Sequence, residues 1–235
     1  MNNAVCGFDS ETLRAGLGLP ATVSMHAVTW RSDEASAFAN EPLPASLAAA
    51  SPRRRTQFRA GRHCARHALV HAGAGAVTPA RDDEGLPVWP VGWIGSISHT
   101  TDRAVALAAA VAQVGELGAV GIDVEQWLAP DRAEEIAAMV ALPEDIAALA
   151  AGLGRTRADA VTLLFSAKES LYKALFPTVR RFFDFEAARL AGCAPGVLEL
   201  ALTCDWHARW PVGTLFEVRF AATPEAVVTA VWVED

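Results

Sequence analysis

The chain has 235 residues, 52% of them hydrophobic, and a formal net charge of -7 at pH 7. That length permits one large domain or two small ones with a sizeable core, and the acidic balance speaks against a general nucleic-acid surface. The start MNNAVCGFDSE lacks a signal-peptide pattern and the longest apolar run, Ala104 to Ala112, is too short to span a bilayer, while four scattered cysteines (Cys6, Cys64, Cys193, Cys204) without a CxxC pair exclude a zinc ribbon and a disulfide scaffold and fit a reducing cytoplasm.

In chain order, residues 1 to 50 are rich in Ala and Pro and hold one expected strand, Ser24 to Trp30, and a short helix near Asp33 to Ala39. Ser51-Pro52 reads as an N-cap followed by proline at the first helical position, opening a helix to about His71 that Gly73-Ala74-Gly75 ends. Arg81 to Pro90 is turn-like, and Gly95 to His99 is short and alternating. Val105 to Val111 and Val120 to Val124 read as strands joined through Gly115 and Gly118, which predicts an antiparallel hairpin with a long loop. Asp131 to Val140 and Pro143 to Ala151 are short helical patterns with acids in their first turns. A long helix is expected from Thr156 to Phe176, stopped by Pro177. The tail alternates over Val197 to Thr203, Thr214 to Ala221 and Ala226 to Val233, as antiparallel strands do. Helices and antiparallel strands in mixed order predict an α+β fold. The best boundary, near GIDVE, divides residues 1–120 from 121–235, as two halves of one compact unit.

Two stretches carry chemistry. In FSAKESLYKALFP (Phe165 to Pro177), Glu169 and Lys173 are four apart and share a helix face. In GIDVE (Gly121 to Glu125), Asp123 and Glu125 are two apart and share a strand face. Three carboxylates and a lysine suit a hard cation on a phosphate, because magnesium takes oxygen ligands and keeps substrate phosphates in its shell. A third stretch is basic: Ser51 to His71 holds six of the 20 Lys and Arg residues and none of the 27 acids. Arg55, Arg59, Arg62 and Arg66 are spaced to line one face, with Arg54 just off it, and guanidinium groups suit phosphate. His63, His67 and His71 are also spaced by four, but the arginines around them oppose a metal. Ser98-His99 stands where a loop residue meets a ligand, and no GxSxG accompanies it. Arg180, Arg181, Phe182, Phe183 and Phe185 offer a docking surface for an acidic partner, or a site where at least two of the phenylalanines are core.

Taken together, RRRTQFRAGRHCARHAL (Arg53 to Leu69), PVWP (Pro87 to Pro90), GSISHT (Gly95 to Thr100), GIDVE and FSAKESLYKALFP resemble, in family order, the Sfp-type 4'-phosphopantetheinyl transferases. The likeness leans to the branch with enterobactin synthetase component D and covers roughly residues 50 to 190. It implies two pseudo-symmetric halves, each a helix packed on an antiparallel sheet, with coenzyme A between them. The implied reaction moves the phosphopantetheine arm of coenzyme A to a serine of an apo acyl or peptidyl carrier domain and releases 3',5'-ADP. By the family pattern Asp123, Glu125 and Glu169 hold Mg2+, Lys173 neutralises phosphate charge, and Asp123, Glu169 and Lys173 form the catalytic set. Arg54, Arg62, Ser98 and His99 match coenzyme A contacts, and Phe183 matches the pantetheine path. Glu169 is the implied general base. One departure is Glu84, where several relatives carry a basic residue; either Arg81 compensates or the turn is shifted. The expected protein is a cytoplasmic monomer with no nucleic-acid or membrane partner. Two other readings are a coenzyme A diphosphate hydrolase and a non-catalytic coenzyme A or carrier-binding module. The chain shows no acid-rich Nudix-like helix for the first and has lost no acid, as the second would require.

Overall fold

The computed structural model describes residues 7–31, 36–115 and 118–234. It opens with α1 (Ser10–Leu17), which the sequence pattern did not announce. Asp9 caps it by accepting from the Thr12 N–H, and Gly18 closes it in the left-handed region. β1 (Val23–Thr29) follows, burying Val23, Met25 and Ala27. The helix expected near Asp33 falls partly on residues 32–35, outside the described residues; a 3-10 turn occupies 36–38. α2 (Pro52–Ala72) begins as its sequence predicts: Ser51 Oγ accepts from the Arg54 N–H at 3.2 Å, and Pro52 fills the first position.

The turn-like stretch is a small hairpin of β2 (Ala80–Arg81) and β3 (Pro87–Val88). β4 (Trp93–His99) and β5 (Arg103–Ala110) complete a three-stranded antiparallel sheet in the order β1-β5-β4. After the short α3 (Val111–Val114) comes β6 (Ala119–Gln126), then α4 (Pro130–Val140), α5 (Pro143–Leu153) and α6 (Arg157–Val179). β7 (Ala188–Ala194), β8 (Val197–Leu202), β9 (Leu215–Ala222) and β10 (Ala226–Val233) join β6 in a five-stranded antiparallel sheet ordered β6-β10-β9-β8-β7. The architecture is α+β, and no described helix is long and apolar enough to cross a membrane.

Two expectations need correction. β5 and β6 are not a hairpin: β5 pairs with β1 and β4, and β6 pairs with β10 in the other sheet. β5 is buried on both faces from Arg103 to Ala109, the mark of a central strand whose two edges are already taken. Nor does Pro177 stop α6. It stands in the last turn, where its missing N–H costs a single bond, and the helix runs on to Val179. Arg180 caps that end at φ 50, its N–H donating to Phe176 O.

α2 covers one face of the three-stranded sheet through Ala60, Cys64, Ala65, Ala68 and Leu69. α6 covers one face of the five-stranded sheet through Leu163, Leu164, Ala167 and Leu171. A third cluster joins α1 to both sheets through Leu107, Ile122 and Val228. The sheets meet at edge strands β4 and β6, where the Ile122 N–H donates to Ser96 Oγ at 3.1 Å. At Gly121 the approach of β6 to α6 is so close that an added Cβ would lie 1.9 Å from Ser170 O. On the outer flank of α2, His63, His67 and His71 meet His26 of β1, with the His26 and His67 rings 4.6 Å apart. Burial, then the neighbouring imidazoles, push His26 down to about 4.

Candidate functional site

The meeting of β4 with β6, roofed by α2 and α6, forms a cavity of about 390 Å³. Three segments feed it by simple periodicity. From α6 come Phe165, Glu169 and Lys173, four apart. From β6 come Asp123 and Glu125, two apart on the face toward α6. From α2 come Arg54, Phe58 and Arg62. The end of β4 adds Ser98 and His99, and the β2–β3 hairpin adds Arg81.

The predicted arginine face divides. Arg55 reaches Ala48 O, and Arg66 is bound to Glu41 at 2.9 Å, so neither meets the cavity. The row that does is Arg54–Phe58–Arg62, a stripe that the same spacing carries but that the eye passes over because its centre is aromatic. Arg62 is 5% exposed, stacks over the Phe58 ring at 4.6 Å and donates to Ala80 O at 3.3 Å. Its Nε has no partner among the described residues. Burial and the nearby Arg81 pull its guanidinium down to about 10. A buried guanidinium with a spare donor and a cationic neighbour is arranged for an anion.

His99 is neutral by the same logic. Its Nε2 lies 3.1 Å from Arg54 Nη1, which can only donate, so Nε2 accepts and the ring proton is on Nδ1, which has no partner among the described residues. Burial first, then Arg54 and Lys173, hold its acidity at about 4. Ser98 lines the cavity and also braces a carboxylate: its hydroxyl donates to Asp123 Oδ1 at 2.8 Å.

Asp123 is 1% exposed and is the hub. Oδ1 accepts from Ser98 and from Lys173 Nζ, which also lies 3.1 Å from Ser98 Oγ. Oδ2 accepts from Ser166 at 2.8 Å. Burial raises Glu125 to about 8, reinforced by Asp123 and Glu169 and opposed by Lys173. Burial also raises Glu169. Acids that raise one another in this way are short of positive charge, and a divalent cation supplies it. Among the described residues no three acids, histidines or cysteines form a ready metal cage. Magnesium needs none, since one or two carboxylates plus substrate phosphates complete its shell. The donor set therefore fits Mg2+ held jointly with a phosphorylated ligand.

Phe183 is not in this cavity. It lines an adjoining apolar groove of about 260 Å³ with Tyr172, Phe182, Trp206 and Glu169, and stacks face to face on Trp206 at 4.2 Å. Glu169 is thus the wall common to cavity and groove. None of the three phenylalanines is core: Phe182 is 76% exposed, and Phe183 and Phe185 are half-buried. Trp206 carried no signal in the sequence, because it joins the groove only through the return of the tail. The departure at Glu84 resolves in space. Its carboxylate pairs with Arg180 at 2.9 Å, both exposed, while Arg81 of the same hairpin lines the cavity.

Two family profiles match the chain: the 4'-phosphopantetheinyl transferase N-terminal domain over residues 43–109, and the 4'-phosphopantetheinyl transferase superfamily over residues 119–224. The 4'-phosphopantetheinyl transferase Svp of Streptomyces mobaraensis is 38% identical over 72% of this chain and 67% of its own. The 4'-phosphopantetheinyl transferase Npt of Nocardia iowensis is 35% identical over 61% and 62%. Enterobactin synthase component D of Salmonella typhimurium is 37% identical over 54% and 51%. The matches span from half to two thirds of the length of these relatives.

Proposed function

The chain belongs to the 4'-phosphopantetheinyl transferase superfamily, and from that premise we propose that it moves the phosphopantetheine arm of coenzyme A to a serine of an apo carrier domain. The serine oxygen forms a bond to the pantetheine-side phosphorus, the pyrophosphate P–O bond breaks, and 3',5'-ADP leaves. The observation that carries this reading is the convergence of four cations (Arg54, Arg62, Arg81, Lys173) with three carboxylates (Asp123, Glu125, Glu169) in one cavity. A polyanion and its metal need such a pairing, and phosphoryl transfer is served by positioning and charge.

In this reading Arg54, Arg62 and Arg81 grip the nucleotide phosphates, with His99 set beside Arg54 in the cavity wall. Asp123, Glu125 and Glu169 would hold Mg2+, which when bound draws negative charge off the pyrophosphate. Lys173 neutralises the charge that grows on the leaving phosphate. Glu169 takes the serine proton, because it is the carboxylate that faces both cavity and groove. Phe183 and Trp206 line the path of the pantetheine arm. Residues 1–120 carry the nucleotide grip and residues 121–235 the reacting end.

The test incubates the protein with magnesium, coenzyme A and an apo carrier domain. A carrier mass gain of one phosphopantetheine is expected. Free phosphopantetheine with an unmodified carrier points to hydrolysis, and no turnover points to a binding module.

A further inference from the structure

Behind Asp123, two hydroxyls have no role in donor binding. Ser166 of α6 and Thr229 of β10 are both 0% exposed, and neither lines the cavity. Thr229 is the cross-strand partner of Asp123, so both side chains leave the sheet on the face toward α6. Ser166 Oγ lies 2.8 Å from Asp123 Oδ2 and 2.9 Å from Thr229 Oγ1. Thr229 Oγ1 lies 2.8 Å from Ser166 O.

Counting protons gives this chain a direction. Two hydroxyls bring two protons to three contacts. An ionised Asp123 only accepts, so the Ser166 proton points at Oδ2. Ser166 Oγ then has lone pairs alone to offer, and the contact with Thr229 takes the Thr229 proton, shared with the Ser166 carbonyl. The order is Thr229 to Ser166 to Asp123, each bond polarising the next.

Neighbouring hydroxyls on α6 show that this is a choice. Thr162 donates to Ala158 O at 2.8 Å, and Ser170 to Ala167 O at 2.9 Å, so both spend their proton within their own helix. Ser166 instead reaches across to the strand. Asp123 is consequently held on two sides by unlike groups. Oδ1 meets Ser98 and Lys173, which face the cavity; Oδ2 meets Ser166, which is sealed in the core.

We propose that Ser166 and Thr229 are positioning residues for the Asp123 carboxylate: they fix its plane and aim it at the cavity, and so set the affinity of the site for its divalent cation. This rests on the magnesium-dependent transferase reading above. Outer partners of a ligating carboxylate typically govern metal affinity by 10- to 100-fold.

The experiment uses the full chain and the variants Thr229→Val, which removes the hydroxyl at nearly constant shape, Thr229→Ser, which keeps it, Ser166→Ala, and the double variant. Two quantities are read: the magnesium concentration that half-saturates transfer, and equilibrium binding of Mn2+ in the presence of coenzyme A by electron paramagnetic resonance. Thr229→Val and Ser166→Ala are expected to weaken both by about 10-fold or more, with the KM for coenzyme A at saturating metal nearly unchanged. Thr229→Ser is expected to rescue the loss. The double variant is expected to match Ser166→Ala alone, because Thr229 acts through Ser166. If Thr229→Val does not fold, Ser166→Ala against wild type carries the comparison. Wild-type metal affinity in a folded Thr229→Val or Ser166→Ala protein overturns the inference and leaves the transferase reading standing. A wild-type protein that neither binds Mn2+ nor modifies the carrier overturns both.

Discussion

The two long helices are alike in build and opposite in chemistry. Each starts at a hydroxyl cap, Ser51 for α2 and Thr156 for α6, and each lies on one face of an antiparallel sheet. Each lends the cavity three side chains spaced by four: Arg54, Phe58 and Arg62 from one, Phe165, Glu169 and Lys173 from the other. On α2 the polar groups are two cations around an aromatic ring. On α6 they are an acid and a base, backed by Asp123 and Glu125 on the adjacent strand. One scaffold used twice thus yields an anion grip and a cation grip that face each other. A substrate that is itself an anion with a bound cation can bridge them, and neither half alone offers it a complete site.

If the α6 side does the chemistry and the α2 side the holding, variants should separate accordingly. The largest effect is expected from Asp123→Ala and Glu169→Gln, which should slow carrier modification by about 100-fold or more, the scale of losing one preorganised electrostatic group. Circular dichroism should show an intact fold, and wild-type turnover in either variant would remove the site assignment. Arg62→Ala should raise the KM for coenzyme A by about 10-fold or more, the worth of a hydrogen bond from a buried charge, and leave kcat nearly as it was. A change confined to the carrier KM would mean that α2 faces the protein partner instead. Arg81→Ala should act in the same direction, by less, because Arg81 is exposed.

The outer flank of α2 should respond to acid. The folded value of His26, about 4, lies below its ordinary 6.5, so the unfolded chain takes up the proton first. The stability tied to it is complete above pH 6.5 and is lost as pH falls toward 4. The urea midpoint should drop across that window, and His26→Gln should flatten the drop; an unchanged slope would show that the cluster does not govern it. The smallest effect is expected from Glu84→Ala. An exposed ion pair contributes between about 0 and 1 kcal/mol, so the KM for coenzyme A should stay within about 2-fold of wild type. A larger change would assign the hairpin a part in holding the donor.

Much of this site was legible because its elements are periodic. GIDVE and FSAKESLYK state which side chains share a face, and Ser51-Pro52 and Gly73 state where α2 begins and ends. The strand partners were not legible. β5 and β6 are neighbours in sequence and looked like a hairpin, yet β6 pairs with β10 at the far end of the chain. Periodicity fixes which way a side chain points; it does not say which strand comes alongside. β7 was missed for a local reason: its register slips between Leu190 and Gly192, which breaks the alternation a strand is recognised by. Thr229 and Trp206 are functional neighbours only by folding, and nothing around either residue in the tail hints at it. The fate of Arg66, tied to Glu41 and not to the cavity, likewise depended on a segment outside the helix.

Gly121 has a bearing on how this protein can be altered. The gap between β6 and α6 there admits a hydrogen atom and nothing larger: a methyl group would meet Ser170 O at 1.9 Å and Ala174 N at 2.7 Å, both backbone atoms that cannot rotate aside. Asp123 is two residues along the strand and Lys173 three along the helix, so any wedge at position 121 moves the two apart. The site is therefore most fragile at a residue that has no functional group at all. A library aimed at the groove can vary the exposed Phe182, while Phe183, and position 121 with the acids, belong among the sites left untouched.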